Sequence, residues 1–461
     1  MSDALISRAL SEIPVAIGVI LALALVVVTA RRPAVGCALF ALLVPLTTGL
    51  GRGTIIPVFR PNEALLMMLI AGIILYRLRR PEPRALSFLD VAVGSFALGT
   101  VVIAALVLFV SSPAQLKDLD NLRNVLAPLQ LLAIYLVFSR TDLSSRSVAR
   151  ILNLTMVASV IVGLVAVAQL FDLFGIRELM SSYYPPQPLP AWDHVYRPAS
   201  TLGHFSSVGA FGTINFILAL ALATNRHPAF NKTWLSVVMV ANLAALVASL
   251  TWAPLFVLPI VIAVVLWQGR RVPRELGVAL AALSLALLLA WPFVSARNDQ
   301  QNLVLAGQDI GIPQTLQHRI DLWEAFFWPA LSEHIWLGTG TVLPAAVPDE
   351  LLGFVDNEYL REGYRAGVIG VGLLLLMLTS VAHNGWKSSA SPSATRRSLG
   401  SALLALVLFF ALIGMTAEYL FFGGVSQLFG IMVGLLGAAA PVTIPFRRAT
   451  KAIGQPALAA G

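Results

Sequence analysis

Charge is what this sequence has least of. Asp, Glu, Lys and Arg make up 12% of its 461 residues, about half the share that keeps a soluble domain wetted. A water-soluble fold of this length would have too few charges to cover its surface, so that class is excluded. Cysteine is nearly missing too. Cys37 stands alone inside an apolar run, which rules out an intrachain disulfide and a cysteine-based metal site. Any loop must then be held by packing and hydrogen bonds. No glycine-rich nucleotide fingerprint is present, and Gly51-Arg52-Gly53 has no P-loop context. The chain also has no internal repeat, no low-complexity tract and no polar block large enough to fold alone.

What it has instead is apolar runs, which recur every 25 to 40 residues from Ile13 to Ile444. A bilayer core about 30 Å thick takes about 20 apolar residues per helix, and a backbone crossing lipid must be helical or part of a closed barrel. Runs this long and unbroken select helices. Thirteen spans are predicted, at 13–30, 34–49, 62–77, 89–111, 122–138, 150–173, 207–225, 233–250, 253–268, 275–294, 366–385, 398–417 and 420–444. The first run is followed, not preceded, by its basic pair Arg31 and Arg32, the reverse of a cleavable signal peptide, so it is expected to remain as helix one. The expectation is an all-α integral membrane protein of 12 to 13 transmembrane helices. Residues 1–461 form one polytopic domain, with large loops at 175–206 and 297–365 and a flexible cytoplasmic tail at 452–461.

Lys and Arg concentrate in cytoplasmic loops, and here they follow every odd-numbered span. Those seven loops hold 20 of the 31 basic residues, whereas the opposite side holds 19 of the 23 acids. The amino terminus is therefore expected outside and the carboxyl terminus inside a bacterial cytoplasmic membrane. The net charge of +8 is accounted for by this topology and implies no nucleic-acid partner. Few charges fall in mid-span, which speaks against an ion-coupled transporter.

Both large loops face outward, and loops of that length are uncommon unless they carry function. The first ends in Arg197-Pro198-Ala199-Ser200-Thr201-Leu202-Gly203-His204-Phe205-Ser206. A guanidinium at the membrane surface is costly to desolvate unless paired, and its planar fork matches phosphate or carboxylate oxygens two at a time. Arg197 either grips a lipid-linked phosphate or pairs with an acid such as Asp193. The proline-rich stretch from Tyr183 to Trp192 suits sugar stacking or a rigid interfacial loop.

The second loop is expected to be helical around Arg319–Ser332 and Asn357–Arg365. Arg319 and Trp323 are spaced i,i+4 and share a helix face, where they hold a phosphate beside a sugar ring or lie at the headgroups as an amphipathic anchor. Asp356, just before the second helix, is placed to cap it or to accept a proton from a sugar hydroxyl. Glu358, Arg361, Glu362 and Arg365 read as a surface ion-pair ladder of little energetic weight. His318, Asp321 and Glu324 read as a solvated face rather than a metal site.

These residues resemble the O-antigen ligase and polymerase superfamily of bacterial envelope glycosyltransferases. Four landmarks in order carry the likeness. Arg197 to Ser206 resembles a loop of the form Arg-Pro-x-Gly-Thr-Phe-Gly-His-Pro-Asn, and 233–268 looks like a short helix pair with a tight outer turn. Arg319, Trp323, Gly338 and Gly340 are similar to Arg-x-x-x-Trp followed by Gly-x-Gly. Asp356-Asn357-Glu358-Tyr359-Leu360 with Gly367-Val368-Ile369-Gly370 looks like His-Asn-x-Tyr-Leu ahead of a Gly-Leu-Ile-Gly helix.

Departures are Ser200 for Gly, Phe205-Ser206 for Pro-Asn, Thr251-Trp252-Ala253-Pro254 without a Ser-Arg pair, and Asp356 where ligases tend to have a general-base His. The last one leans the reading toward a polymerase. The resemblance implies a GT-C-like fold and metal-independent, inverting, cofactor-free transfer of a glycan from a polyprenyl diphosphate to a hydroxyl of a lipid-linked or lipid A core acceptor. It assigns Arg197, Arg319 and Asp356 as catalytic, and His204, Trp323, Asn357, Tyr359, Arg361 and Arg365 as substrate-binding. A flippase of lipid-linked glycans is the expectation from a different class.

Overall fold

The structure is a computed structural model that describes residues 22–51, 60–80, 85–185, 195–302, 314–341 and 355–438. The tail 452–461, Asp193, most of the proline-rich stretch and the side chain of His318 lie outside the described residues. Helices account for about four-fifths of the described residues, and no strand occurs among them.

Every predicted apolar run carries a helix. In chain order these are α1 (Ala22–Arg31), α2 (Pro33–Thr47), α3 (Pro61–Arg79), α4 (Phe88–Ser111), α5 (Leu119–Arg140), α6 (Ser145–Leu170), the short α7 (Ile176–Tyr183), α8 (Phe205–Thr224), α9 (Lys232–Ala248), α10 (Trp252–Gly269), α11 (Arg274–Leu289) and α12 (Trp291–Asn302). Beyond them come α13 (Gln314–Leu322) and α14 (Trp328–Glu333), then α15 (Glu358–Ser389), α16 (Ala394–Ile413) and α17 (Val425–Ala438). Eight of these are long and apolar enough to cross a membrane, and α11 with α12, bent by 67°, counts as a ninth only where the pair is one broken span. Four shorter apolar helices, α1, α2, α9 and α17, complete the set. The chain is an all-α, multi-pass membrane protein.

The loops divide between two ends as their alternation along the chain requires. At one end Arg140 pairs with Asp90 at 2.7 Å, Arg397 donates to Asn225 at 3.1 Å, and the Trp267 and Trp386 rings meet at 5.4 Å. At the other end the Gly49 N–H donates to Thr201 O at 2.8 Å, and the Leu420 N–H donates to Glu358 at 2.9 Å. Both sets join loops that the charge pattern assigns to the same side.

At the centre stands α8, buried on every face from Ser206 to Thr224. In lipid, apolar surface gives helices no reason to associate, so close backbone contact and polar side chains must do it. Gly212 brings α8 against the Asn242 carbonyl of α9, and Asn242 donates to Ser159 of α6 at 2.9 Å. The outward faces of α4 and α11 are correspondingly apolar, with Phe109 and Leu288 exposed.

Three boundaries differ from the sequence expectation. The span predicted at 275–294 breaks at Ala290 into α11 and α12. The two-residue turn expected between 417 and 420 is a loop of residues 414–424. Helix α15 starts eight residues early and breaks at Ala366–Gly367, where Gly367 takes φ 64 and ψ −159. Outside that break, the segment Ile335–Thr341 docks. Val368 N–H donates to Ile335 O at 2.8 Å, and Thr339 N–H donates to Tyr364 O at 2.8 Å, so carbonyls and amides freed by the break are satisfied.

A Cβ on Gly367 would stand 2.1 Å from Trp336 O, and one on Gly338 would stand 2.4 Å from Gly363 O. The two glycines thus lock the large loop to the span. We expect Gly367→Ala to lower stability by at least about 2 kcal/mol, through a backbone region open only to glycine plus the clash. Gly372→Ala, in open space on the same helix, is expected to be neutral. Thermal unfolding of the purified protein in detergent separates the two, and equal midpoints would contradict the docking.

Candidate functional site

Five stretches far apart in sequence meet at the end of the bundle that carries both large loops. The first is 195–206. Its turn is pinned to α6, because Ser200 N–H donates to Gln169 Oε1 at 2.8 Å and Ser200 Oγ donates to Val162 O at 2.8 Å. Ser200 is itself left-handed, with φ 49. His204 caps α8, its Nδ1 accepting the Ser206 N–H at 3.1 Å. The ring nitrogen that accepts must be unprotonated, so the cap requires a neutral imidazole with its proton on Nε2.

Arg197 lies over the Phe205 ring, 3.3 Å from its centroid. Its guanidinium reaches the second stretch, the turn between α9 and α10, donating to Thr251 Oγ1 at 3.2 Å and Ser249 O at 3.4 Å. The turn that lacks the expected Ser-Arg pair is therefore one of the contacts that aim Arg197.

The third stretch is the loop helix. It runs from 314 to 333 with a wide turn at Trp323–Phe327. Pro329 explains that turn: it has no N–H for Ala325 O, and the Trp328 N–H instead reaches back to Trp323 O. Arg319 and Trp323 do share a face. Arg319 Nε pairs with Asp356 Oδ2 at 3.0 Å, and Trp323 Nε1 donates to Val355 O at 2.8 Å. Phe327, Leu331, Val355 and Tyr364 form a small core beneath them.

The fourth and fifth stretches, 355–365 and the loop 414–424, are bonded to each other. Asp356 is not the cap of α15. That role belongs to Asn357, whose Oδ1 accepts the Tyr359 and Leu360 N–H groups at 2.9 and 3.0 Å. Asp356, with φ 52, turns its carboxylate toward Arg319 instead. Glu418 accepts the Val355 N–H at 2.8 Å and pairs with Arg361. Glu358 reciprocates on Leu420 N–H, and the Tyr359 hydroxyl donates to Ala411 O at 2.7 Å.

The ladder read as superficial is in fact internal. Arg365 and Glu362 are fully buried and paired at 2.7 Å, Arg365 also donates to Asn124 O at 2.9 Å, and Arg361 and Arg365 each lie 4.4 Å from the Phe421 ring. Arg365, named as substrate-binding by the resemblance, is thus sealed between Glu362 and the Asn124 carbonyl. Removing one partner of a buried pair costs about 3–5 kcal/mol, far more than a surface ladder.

Between these stretches sits Tyr419, which the sequence reading missed. It is buried, within electrostatic range of Arg319, Arg197 and Asp356, and its ring meets the Phe422 ring edge-on at 5.3 Å. Burial pushes this phenol up to about 12, although the two guanidiniums pull it down. It stays a neutral donor. The three residues nominated as catalytic thus lie within electrostatic range of one tyrosine, and Arg197 and Asp356 also act on His204. Asn357, Tyr359, Arg361 and Arg365 are each bonded to other protein groups.

Sequence offered one signal for the missing part: Glu418 is the only acid after Glu362, and it falls between two apolar runs. No group of three or more His, Cys, Asp or Glu side chains that could hold a metal ion occurs among the described residues.

Burial first, and then the neighbouring Arg197, push His204 down to about 3. The unfolded chain protonates this residue near pH 6.5, so acid below that value favours unfolding until the folded pKa is reached. We expect the wild type to lose stability between about pH 7 and about pH 5, and His204→Gln to remove up to about 2 kcal/mol of that loss. Unfolding midpoints measured across this range check it; parallel curves for the two proteins would show that His204 titrates normally. Comparison of the sequence with protein-family models and with curated proteins gives no match.

Proposed function

We propose that this protein is a membrane glycosyltransferase of the O-antigen polymerase and ligase type. It transfers a glycan from a polyprenyl-diphosphate donor to an acceptor hydroxyl on the outer face of a bacterial cytoplasmic membrane, most simply by joining lipid-linked repeat units into a polymer. One observation carries the reading: two guanidiniums, a carboxylate and a buried phenol, from four distant stretches, converge at the bundle end that the charge pattern places outside.

That set suits the chemistry. Arg197 and Arg319 hold the diphosphate. A diphosphate offers more charge and more oxygens to a guanidinium than one carboxylate does, so donor binding draws Arg319 from Asp356 and frees that carboxylate. The acceptor oxygen attacks C1 of the donor sugar from the face opposite the diphosphate. The C1–O bond breaks, polyprenyl diphosphate leaves with the electron pair, and Asp356 takes the hydroxyl proton. Tyr419, held neutral, donates to charge developing on the leaving oxygen. His204 caps α8 and so sets the backbone that presents Arg197. The left-handed turn at Ser200 adds support, since the resembling loop has glycine at that position and glycine is the residue that adopts this conformation freely.

Purified protein in vesicles, given a synthetic lipid-linked oligosaccharide, should release polyprenyl diphosphate. Arg319→Ala and Asp356→Asn should each slow that release by about 10²–10³, the scale of losing one electrostatic group. Full activity in both variants, shown to be folded, would overturn the assignment. Movement of the donor across the bilayer at unchanged mass would indicate a flippase instead. In cells lacking the protein, single repeats in place of chains mark a polymerase, and long unattached lipid-linked chains mark a ligase.

A further inference from the structure

Among the described residues, the short helix α7 and the turn before it leave an apolar face exposed. Ile176, Leu179, Met180 and Tyr183 fall at i, i+3, i+4 and i+7 and form one stripe, while Arg177, Glu178, Ser181 and Ser182 lie off it. Leu179 and Tyr183 are about 60% exposed, and no residue of α7 is buried. The turn adds Phe171, Leu173 and a completely exposed Phe174. Such a surface in water is unfavourable, at about 25 cal/mol for each Å² of apolar area.

The backbone of this turn is bent to display it. Asp172, Phe174 and Gly175 all take positive φ, at 51, 58 and 69, and two of them are not glycine. Asp172 Oδ1 accepts the Arg177 N–H at 3.2 Å and so closes the turn onto α7.

Position supplies the second argument. Arg177 donates to Gln169 O at 2.7 Å and Leu170 O at 2.6 Å, the last carbonyls of the span α6. At the other end of α7 the Tyr184 hydroxyl donates to Leu46 O of α2 at 2.8 Å. Both ends are therefore tied to the same ends of two membrane helices, and α7 runs along the rim of the bundle at the level where the spans stop. Phe171 meets Phe293 of α12 edge-on at 5.6 Å, which joins the patch to the exposed belt of Leu288, Leu289 and Trp291.

We infer that α7 lies flat in the headgroup and upper acyl region of the bilayer leaflet on the side of the functional site, with Phe174 and Leu179 inserted into lipid. The occupant of the face is phospholipid, because the patch is continuous with the lipid-facing belt and its level is fixed by α2 and α6. The helix serves as a monotopic anchor that keeps the first loop, and Arg197 at its far end, at a constant depth.

The sole cysteine, Cys37, is fully buried, so single-site labelling is open. Nitroxides are attached at Phe174→Cys, Leu179→Cys and Glu178→Cys, each in a Cys37→Ser background, and the protein is reconstituted in phosphatidylethanolamine and phosphatidylglycerol vesicles. Power saturation should show higher accessibility to oxygen than to a water-soluble nickel chelate at 174 and 179, with the order reversed at 178. Preference for nickel at 174 and 179 would place the face in water and overturn the inference. Exclusion of both reagents there would show protein, such as a second copy, covering it, and would overturn it equally. Because no transfer is measured, the result is independent of the proposed reaction.

Discussion

Two buried carboxylates hold the functional end of this molecule together. Glu418 receives the Val355 N–H while pairing with Arg361, and Glu358 receives the Leu420 N–H. Each loop thus supplies a carboxylate to the backbone of the other. Desolvating such groups costs several kcal/mol apiece, and only partners of this quality offset it. The exchange fixes Asp356 on one strand of chain and Tyr419 on the other, so the arrangement around the tyrosine depends on it.

Behind that clamp stands a second constraint, the backbone contact of Gly338 with the break in α15 at Gly367. A continuous helix would carry Tyr364 and Arg365 onward into the bundle. The break instead opens backbone groups to the segment Ile335–Thr341, and the loop helix packs its small core on Tyr364. The large loop is thereby referenced to membrane helices at two points. The first loop is referenced at others, through Ser200 to α6 and Gly49 to Thr201. A site assembled from two loops keeps its geometry when each is tied to the rigid bundle and not merely to the other.

The bilayer shapes both levels. It forces every spanning backbone to satisfy itself, so the runs become helices, and it removes hydrophobic attraction as a reason for packing. What remains is close approach at glycine and polar bonds such as Asn242 to Ser159. The same solvent explains why charged groups gather at the ends of spans, where an ionic network can lie under a partly exposed Arg319–Asp356 pair without entering lipid.

The all-α membrane class and a helix on each apolar run could be read from the sequence, because both follow from local composition against the thickness of a membrane. Arg197, Arg319 and Asp356 could be nominated in the same way, since a guanidinium or carboxylate at the end of a span is conspicuous on its own. The break at Gly367, the eleven-residue loop after α16, the capping by Asn357 rather than Asp356 and the position of Tyr419 could not. Each depends on which groups from distant stretches meet, and a tyrosine beside one lone acid looks like any interfacial residue until Arg197 and Arg319 are seen around it. The apparent surface ladder shows the same limit from the other direction: its spacing is local, but whether Arg365 meets water or the Asn124 carbonyl is decided only by the helix that packs across it.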